Sequence, residues 1–432
     1  MSLNIEPTKY KLQSVLTSKE FNDSYWMLDA PNESTPSLIR AIYDKKQLSV
    51  GGYKSGIYKF ADWLPIIRTL EGSSAPATYK SIGLAKELGL SNLWITFSGY
   101  NPAIGANMST CSFKETEAYT VCARIKKDES RILVVASAGN TARAFARVCS
   151  DNNIALLLCV PEDNIDALWF NSPINDCVKL IAAKSGGDYF DAIHLSNIVV
   201  KDEKFLAEGG AKNVARRDGM STTVLSAVST IGKIPEFYFQ AVGSGTGAIA
   251  AWEANLRFIE DGRYGSNKMR LMVSQNAPFL PMYMAWKKDS RELLPMDDVE
   301  ARLEVEEIIA KVLSNRKPPY SVCGGLYDAL KDSNGDVYSV HNDELQAASA
   351  LFEKCENIDI HPASAVAVAS LQQAVKDKTV CPDSLIMLNI TGGGEKLMAK
   401  NNTLHYLKPN IVFDINPNEQ EVLSKTKALF QY

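Results

Sequence analysis

Short runs of apolar residues alternate along the chain with stretches in which apolar residues recur every three or four positions. Short continuous apolar runs indicate buried strands, whereas the longer spacing indicates helices that pack along one face. The predicted strands are residues 92–97, 131–137, 154–160, 178–183, 236–242, 269–275 and 384–390. Helices are predicted between them, for example in residues 112–127, 141–153 and 246–261. This alternation predicts parallel sheets flanked by helices, which is an α/β fold.

The length of 432 residues predicts two domains, because single hydrophobic cores stop growing at about 250 to 300 residues. Residues 262–343 are less regular and include a charged helical stretch. They are interpreted as an excursion on the larger domain. No clear linker separates two halves of the chain, so we expect it to pass between the domains more than once.

Composition and charge exclude several classes of protein. The formal net charge of −4 provides no general attraction to nucleic acid or to an anionic membrane. The short basic run Arg216–Arg217 is interpreted as a solvated helix face. No run of about 18 apolar residues and no signal peptide is found, so no membrane span is predicted. The eight cysteines form no Cys-x-x-Cys pair and the four histidines do not cluster. This pattern predicts a reducing cytoplasm and no metal site.

Three turns of small residues follow predicted strands, at the sheet edge where α/β proteins bind ligands. Residues 137–142 begin a helix whose free N–H groups suit a carboxylate, although a simple helix cap would explain them equally. Glycines at 243–247 allow a backbone to approach a phosphate. A dinucleotide site there would need an acidic residue about 20 positions later, and Glu260 and Asp261 come too early. The third turn, 390–394, places a threonine hydroxyl where it could bond a heterocycle.

Lys114 opens a predicted helix, and this position is unusual for a lysine. Its positive charge faces the unfavourable end of the helix dipole. A lone lysine there is most often a solvated charge. A lysine that forms a Schiff base with an aldehyde cofactor near a phosphate has a reason to occupy the position. Such a lysine needs a desolvated or electrostatically tuned site.

These segments, in this order, resemble the threonine synthase family of fold-type II pyridoxal phosphate (PLP) enzymes. Residues 112–114 (SFK) are similar to its cofactor-lysine motif and residues 137–142 (SAGNTA) to its asparagine loop. Residues 243–247 (GSGTG) resemble its phosphate loop and residues 390–397 (ITGGGEKL) its C-terminal glycine motif. The likeness extends over about residues 50–400. It implies a tryptophan synthase β-like fold, with two three-layer α/β/α domains and PLP in the cleft between them.

The resemblance also implies domains and residue roles. Residues 1–114 and 236–432 would form the large PLP-binding domain, and residues 115–235 a small mobile domain that closes over the substrate. Lys114 would be the catalytic residue and the covalent attachment point of the cofactor. The other implied cofactor-binding residues are Asn140, Gly243, Ser244, Gly245, Thr246, Gly247 and Thr391. The implied substrate-binding residues are Ser137, Ala138, Gly139, Asn140, Thr141 and Arg143.

The chain departs from the family pattern at several positions. Glu115, Thr116 and Glu117 follow the lysine where Asp-Arg-Gly is usual, His361 replaces a glutamate, and Arg143 stands where small residues are common. These departures favour a branch of the family that exchanges the phosphate of O-phosphoserine for sulfite, yielding a sulfonated amino acid for coenzyme M biosynthesis. Both small-molecule substrates are anions, so a cation is expected near them.

Arg143 is the first candidate for that cation, and Lys184 and Arg147 are weaker ones. A surface charge that points to water is an equally good interpretation of each. Three other functions stay open at this stage: a threonine synthase acting on O-phosphohomoserine, a non-catalytic amino-acid sensor, and a nicotinamide-dependent oxidoreductase. The resemblance further implies a homo-oligomer.

Replacing Lys114 with alanine should abolish the visible absorbance of the lysine-bound cofactor, expected at roughly 410 nm. The measurement is the absorption spectrum of the purified variant. Absorbance that survives the substitution would show that another residue is the anchor.

Overall fold

The structure is a computed structural model that describes residues 6–51, 56–137, 139–187 and 189–431. In chain order its strands are β1 (Tyr10–Ser14), β2 (Glu20–Phe21), β3 (Ile39–Tyr43), β4 (Ala77–Lys80), β5 (Leu93–Phe97), β6 (Tyr100–Asn101), β7 (Ala106–Asn107), β8 (Ile132–Ala136), β9 (Leu156–Pro161), β10 (Trp169–Phe170), β11 (Val178–Ala183), β12 (Phe205–Ala207), β13 (Phe237–Ala241), β14 (Arg270–Asn276), β15 (Asp336–Val340), β16 (Ile386–Ile390), β17 (His405–Tyr406) and β18 (Ile411–Phe413).

The α-helices, again in chain order, are α1 (Gly83–Leu88), α2 (Lys114–Arg124), α3 (Asn140–Asp151), α4 (Tyr189–Val199), α5 (Val214–Ile231), α6 (Thr246–Asp261), α7 (Pro281–Lys287), α8 (Asp298–Glu307), α9 (Leu326–Asp332), α10 (Asn342–Glu356), α11 (Pro362–Lys376), α12 (Glu395–Asn401) and α13 (Glu419–Ala428). Short 3-10 helices span Gly56–Trp63, Pro102–Ile104, Glu162–Ala167, Gly210–Lys212 and Lys311–Leu313. Within the described segments, no helix combines the length and the apolarity that crossing a bilayer requires.

All seven strands expected from the apolar runs are present, as β5, β8, β9, β11, β13, β14 and β16. The helices expected after them are α2, α3 and α6. The α/β prediction is confirmed. Each of these strands lies in the interior of a sheet, where both faces are covered, and a continuous apolar run is the signature of such a position.

The larger sheet has six strands in the order β15-β14-β13-β16-β5-β4. All neighbouring pairs are parallel except β4 with β5. Successive side chains of a strand point to opposite faces. Phe237 and Phe239 of β13 therefore pack in the core beneath α11, whereas Tyr238 packs in the core that contains α5 and α6 residues. Helices cover both faces, which makes this part of the molecule three-layered.

The second sheet has five parallel strands in the order β12-β8-β9-β11-β18. Leu133 and Val135 of β8 pack with residues of α3. The alternate residues Ile132 and Val134 pack in the core that contains residues of α4 and α13. This sheet is also covered on both sides, so it forms a second three-layer unit.

Two elements lie elsewhere than the predicted domain limits would place them. Strand β18 pairs with β11 in the five-stranded sheet, although residues 236–432 were assigned to the other domain. Helix α5 packs against α2, α6 and the strands β4 and β5 of the six-stranded sheet, although residues 115–235 were assigned to the small domain. A three-residue strand carries too little pattern to reveal its partner. The domain limits and the closing motion stay predictions.

The interpretation of Arg216–Arg217 as a solvated helix face is wrong. Both residues lie on α5, which is buried along most of its length. The Arg217 side chain is 0% exposed, and its Nε donates to Glu253 at 3.0 Å. Its other nitrogens donate to the backbone carbonyls of Ala211 and Ile39. Arg217 thus connects α5, α6 and strand β3, because a buried guanidinium must satisfy its donors within the protein.

Arg217→Ala should lower the free energy of unfolding by about 3 to 5 kcal/mol, because it leaves the buried carboxylate of Glu253 short of a partner. Chemical denaturation measures the change. Lys425→Ala removes an exposed pair with Glu421 and is the control, with an expected loss of less than about 1 kcal/mol. Equal losses in the two variants would contradict a structural role for the buried pair.

Candidate active site

A cleft lies where the strands of both sheets end, and the predicted motifs meet there. It has about 930 Å³ of empty space, including its opening to solvent. Among the residues that line it are Lys114, Ser137, Gly139, Asn140, Thr141, Gly243, Ser244, Gly245, Gly247 and Thr391. Thr246 lines an adjoining cavity instead, and its hydroxyl lies 2.9 Å from that of Ser244. Ala138 falls outside the described residues.

The lysine loop and the C-terminal glycine loop are held together by backbone hydrogen bonds. Phe113 N donates to Thr391 O at 2.9 Å, and Gly393 N donates to Cys111 O at 3.0 Å. A Cβ on Gly392 would lie 2.9 Å from the Cys111 carbonyl oxygen, which is too close for a side chain. Glycine is therefore required for this approach. The contact brings Lys114 and Thr391 to one side of the cleft.

Lys114 belongs to a chain of alternating charges inside the protein. Its Nζ lies 3.3 Å from Glu117 Oε2, and Glu117 Oε1 lies 3.2 Å from Arg216 Nη2. Arg216 Nη1 in turn lies 2.6 Å from Glu208 Oε2. Burial lowers the pKa of Lys114, the negative charge of Glu117 opposes that change, and the positive charge of Arg216 reinforces it. An amine with a lowered pKa is available in its neutral, nucleophilic form at a lower pH.

The loop at 243–247 has the features of an anion site. The N-cap of the 16-residue helix α6 is Gly245, which has no side chain to accept the first-turn N–H groups. Its φ of 77° lies in the left-handed region that glycine adopts without strain. A Cβ on Gly243 would lie 2.8 Å from Val312 O, and one on Gly247 would lie 2.7 Å from Gln240 Nε2. Glycine is therefore required for the loop to pack against Val312 and Gln240, and the Thr246 N–H donates to Ser244 Oγ at 3.3 Å. A helix start of this kind favours an anion.

Thr391 and His361 form the wall beside the glycine loop. The Thr391 hydroxyl lies 3.5 Å from that of Ser364, which also donates to Gly392 O at 2.9 Å. His361 caps α11, where its Nδ1 accepts from Ala363 N at 3.3 Å. Burial lowers the pKa of His361. A neutral imidazole and a neutral hydroxyl therefore face this part of the cleft.

The expected cation does not lie where the sequence analysis placed it. Arg143 is buried, does not line the cleft and forms an ion pair with Glu395 at 3.0 Å. Arg147 pairs with Asp151, and Lys184 is exposed and pairs with Asp414. The cations that line the cleft within the described segments are Lys114, Arg216 and Lys311. The positions of these residues along the sequence predicted that they lie near the cleft. They did not predict the direction in which each long side chain extends.

Sequence reasoning missed Arg216 as well as Tyr189, Gln240 and the loop 311–315, which also line the cleft. A signal for Arg216 was available. The sequence of α5, VARRDGMSTTVLSAVSTI, has apolar or small residues on every face, which is typical of a buried helix. An arginine on such a helix needs an internal partner or a ligand.

In the described part of the chain, no group of three or more His, Cys, Asp or Glu residues could hold a metal ion.

Comparisons with known proteins agree with this geometry. Residues 76–392 match the model of the family described as "Pyridoxal-phosphate dependent enzyme". The chain is 46% identical over 411 residues to a cysteate synthase of Methanosarcina acetivorans, covering 95% of this chain and 98% of that protein. It belongs to the pyridoxal-phosphate dependent enzymes, in their cysteate synthase branch. A cysteate synthase of Methanocella paludicola is 47% identical over 399 residues, with 92% of each chain covered.

Solved structures of other proteins show the same fold. Maize serine racemase aligns with a TM-score of 0.55 at 13% identity, covering 76% of this chain and 91% of that one. The processed form of threonine deaminase isoform 2 from Solanum lycopersicum gives 0.52 at 16% identity, covering 82% and 89%. The prediction of fold type II is confirmed. The chain is an enzyme, and its cofactor is pyridoxal phosphate.

The residues of the cleft fit this cofactor. A glycine-rich helix start suits its phosphate, and the mostly buried amine of Lys114 suits its aldehyde. The Asn140 amide and the Thr391 hydroxyl supply neutral groups for the polar atoms of the ring. Each of these individual roles stays a prediction.

Glu117→Gln should lower the pKa of Lys114 further, because it removes the charge that opposes the effect of burial. Cofactor attachment requires the neutral amine, so the acid limb of its pH–rate profile should move to lower pH. The experiment adds pyridoxal phosphate to apoprotein and follows the visible absorbance. Glu115→Gln is the matched control, because that carboxylate accepts from Ser109 and Thr110 instead. A profile unchanged or moved to higher pH in Glu117→Gln would refute this role.

Proposed function

We propose that the chain is a cysteate synthase that converts O-phospho-L-serine and sulfite to L-cysteate and phosphate. The observation that carries the proposal is its 46% identity to a cysteate synthase over nearly the whole length of both proteins. Relatives of that name from several other methanogens share 41 to 47% identity with it. The arrangement of charges in the cleft supports the same reaction.

Both proposed substrates are anions, and the cleft provides cations for them. Arg216 and Lys114 line it, and Glu117 lies between the two. The Thr141 hydroxyl, in the loop assigned to the substrate carboxylate, lies 3.5 Å from Arg216 Nη2. Only two carbons and the ester oxygen separate the carboxylate of O-phosphoserine from its phosphorus. A carboxylate site next to a guanidinium suits so short a molecule.

We assign separate steps of the reaction to individual charged residues of the cleft. When bound, pyridoxal phosphate supplies an electron sink for the bonds at the substrate's α-carbon. Lys114 Nζ removes the α-proton, holds it and returns it after the new bond has formed. Glu117 stabilises the ammonium group while it holds that proton. Arg216 binds the phosphate that leaves with the electron pair of the C–O bond, and then the sulfite that forms the C–S bond.

The groups assigned to hold the cofactor and the substrate are neutral. Residues 243–247 would bind the cofactor phosphate through backbone N–H groups, and Ser137, Gly139 and Thr141 the substrate carboxylate. Thr391 would meet the ring nitrogen. A hydroxyl there does not enforce a protonated ring, which favours elimination at the β-carbon over full carbanion chemistry.

Three further properties belong to the proposal without a direct structural observation. A place in coenzyme M biosynthesis follows from the proposed product. A homo-oligomer follows from the family resemblance, and a cytoplasmic location from the cysteine pattern.

The holoenzyme should release phosphate from O-phosphoserine and form cysteate when sulfite is present. The experiment incubates it with O-phosphoserine or O-phosphohomoserine, each with and without sulfite. Phosphate release and mass spectrometry of the products are the measurements. Lys114→Ala is the control and should form no product. Threonine formed from O-phosphohomoserine would identify a threonine synthase instead, and no turnover of either ester would favour a sensor.

A further inference from the structure

Arg143 lies behind the cleft and joins several parts of the site. Its Nη2 lies 3.0 Å from each of three oxygens: Asn140 Oδ1, the Thr110 carbonyl and Glu395 Oε1. Its Nη1 donates to the Ala167 carbonyl at 3.2 Å. The guanidinium also stacks on the Trp169 ring, 4.0 Å from the ring centroid. Only 3% of the Arg143 side chain is exposed, so solvent reaches little of the guanidinium itself.

The contact with Asn140 determines which way its amide faces. An arginine has donors and no acceptor, so the atom of Asn140 that meets Arg143 must be the oxygen. The amide nitrogen is attached to the same carbon and points away from that oxygen. Asn140 begins α3 and lines the cleft. The group that it presents to the cleft is therefore the N–H donor.

We propose that Arg143 is a positioning residue that fixes the Asn140 amide so that its nitrogen donates to the ring hydroxyl oxygen of the cofactor. This rests on the proposed assignment of Asn140 to the cofactor. The two ends of an asparagine amide have almost the same shape, so packing alone does not choose between them. With the amide reversed, its oxygen would face the anionic form of that hydroxyl and repel it. Arg143 removes this alternative.

The other contacts of Arg143 fix the position of the amide relative to the rest of the site. Thr110 precedes the loop that leads to Lys114, and Glu395 directly follows the glycine loop after Thr391. One guanidinium thus aligns the start of α3 with both loops. Glu395 is 37% exposed, so water weakens that ion pair. The bond to the Thr110 carbonyl is buried, and the bond to Asn140 is partly buried. A lysine could not stack on Trp169 and reach all three acceptors.

The test is the absorption spectrum of the holoenzyme without substrate. A donor to the ring oxygen favours its anionic form, which absorbs in the visible, over the neutral form, which absorbs in the near-ultraviolet. Arg143→Met should transfer a large part of the visible band to the near-ultraviolet. Asn140→Ala should do the same. In the double variant, Arg143→Met should add nothing to Asn140→Ala, because both act through one contact.

Two further variants separate orientation from general damage to the fold. Glu395→Gln retains the contact between Arg143 and Asn140, so its spectrum should match that of the unmodified protein even if its melting temperature falls. Asn140→Asp retains a partner for Arg143 but presents an oxygen to the cofactor, so it should lose the visible band. Should Arg143→Met fail to fold, this variant still tests the amide donor on which the role of Arg143 depends.

An unchanged spectrum in Asn140→Asp, or an additive effect in the double variant, would overturn the proposal. Because no substrate is present, these results are independent of which phosphoester the enzyme uses. A protein that made threonine in the assay above would leave the role of Arg143 standing.

Discussion

Two loops far apart in sequence, at 111–113 and 391–393, bond to each other through their backbones, and the position of the reactive lysine depends on that contact. One loop precedes α2 and the other follows the central strand β16. A side chain on Gly392 would separate them. Because α2 begins at Lys114 itself, the contact also sets the direction in which the amine enters the cleft.

Burial of the Lys114 ammonium group is unfavourable in free energy, and neighbouring charged residues offset that cost. A lone ammonium group inside the protein would simply lose its proton. Here Glu117 stabilises it, Arg216 holds Glu117, and Glu208 holds Arg216. Each charge has an opposite neighbour, so the cluster can lie beside the cleft without an unpaired ion. Arg216 can at the same time offer a guanidinium to an anionic ligand.

A second arginine, Arg143, aligns the loops around the cleft. Arg143 lies in the first turn of α3, directly after the motif at 137–142, and this position predicted a direct contact with substrate. Its Nη2 instead contacts Asn140, Thr110 and Glu395. The structure therefore separates the two arginines by role, since one faces the ligand space and the other aligns the loops that surround it.

The sequence by itself determined the strands, the fold class and the motif positions around the cleft. The interior strands are continuous apolar runs, and the turns after them contain glycine where close backbone approach requires it, so both signals are local. Only the tertiary structure decided that β18 joins the second sheet, that Arg217 is buried, that Arg216 lines the cleft, and that Arg143 does not. A short strand's partner and a long side chain's direction depend on residues distant in sequence. Spacing along the chain does not record those contacts.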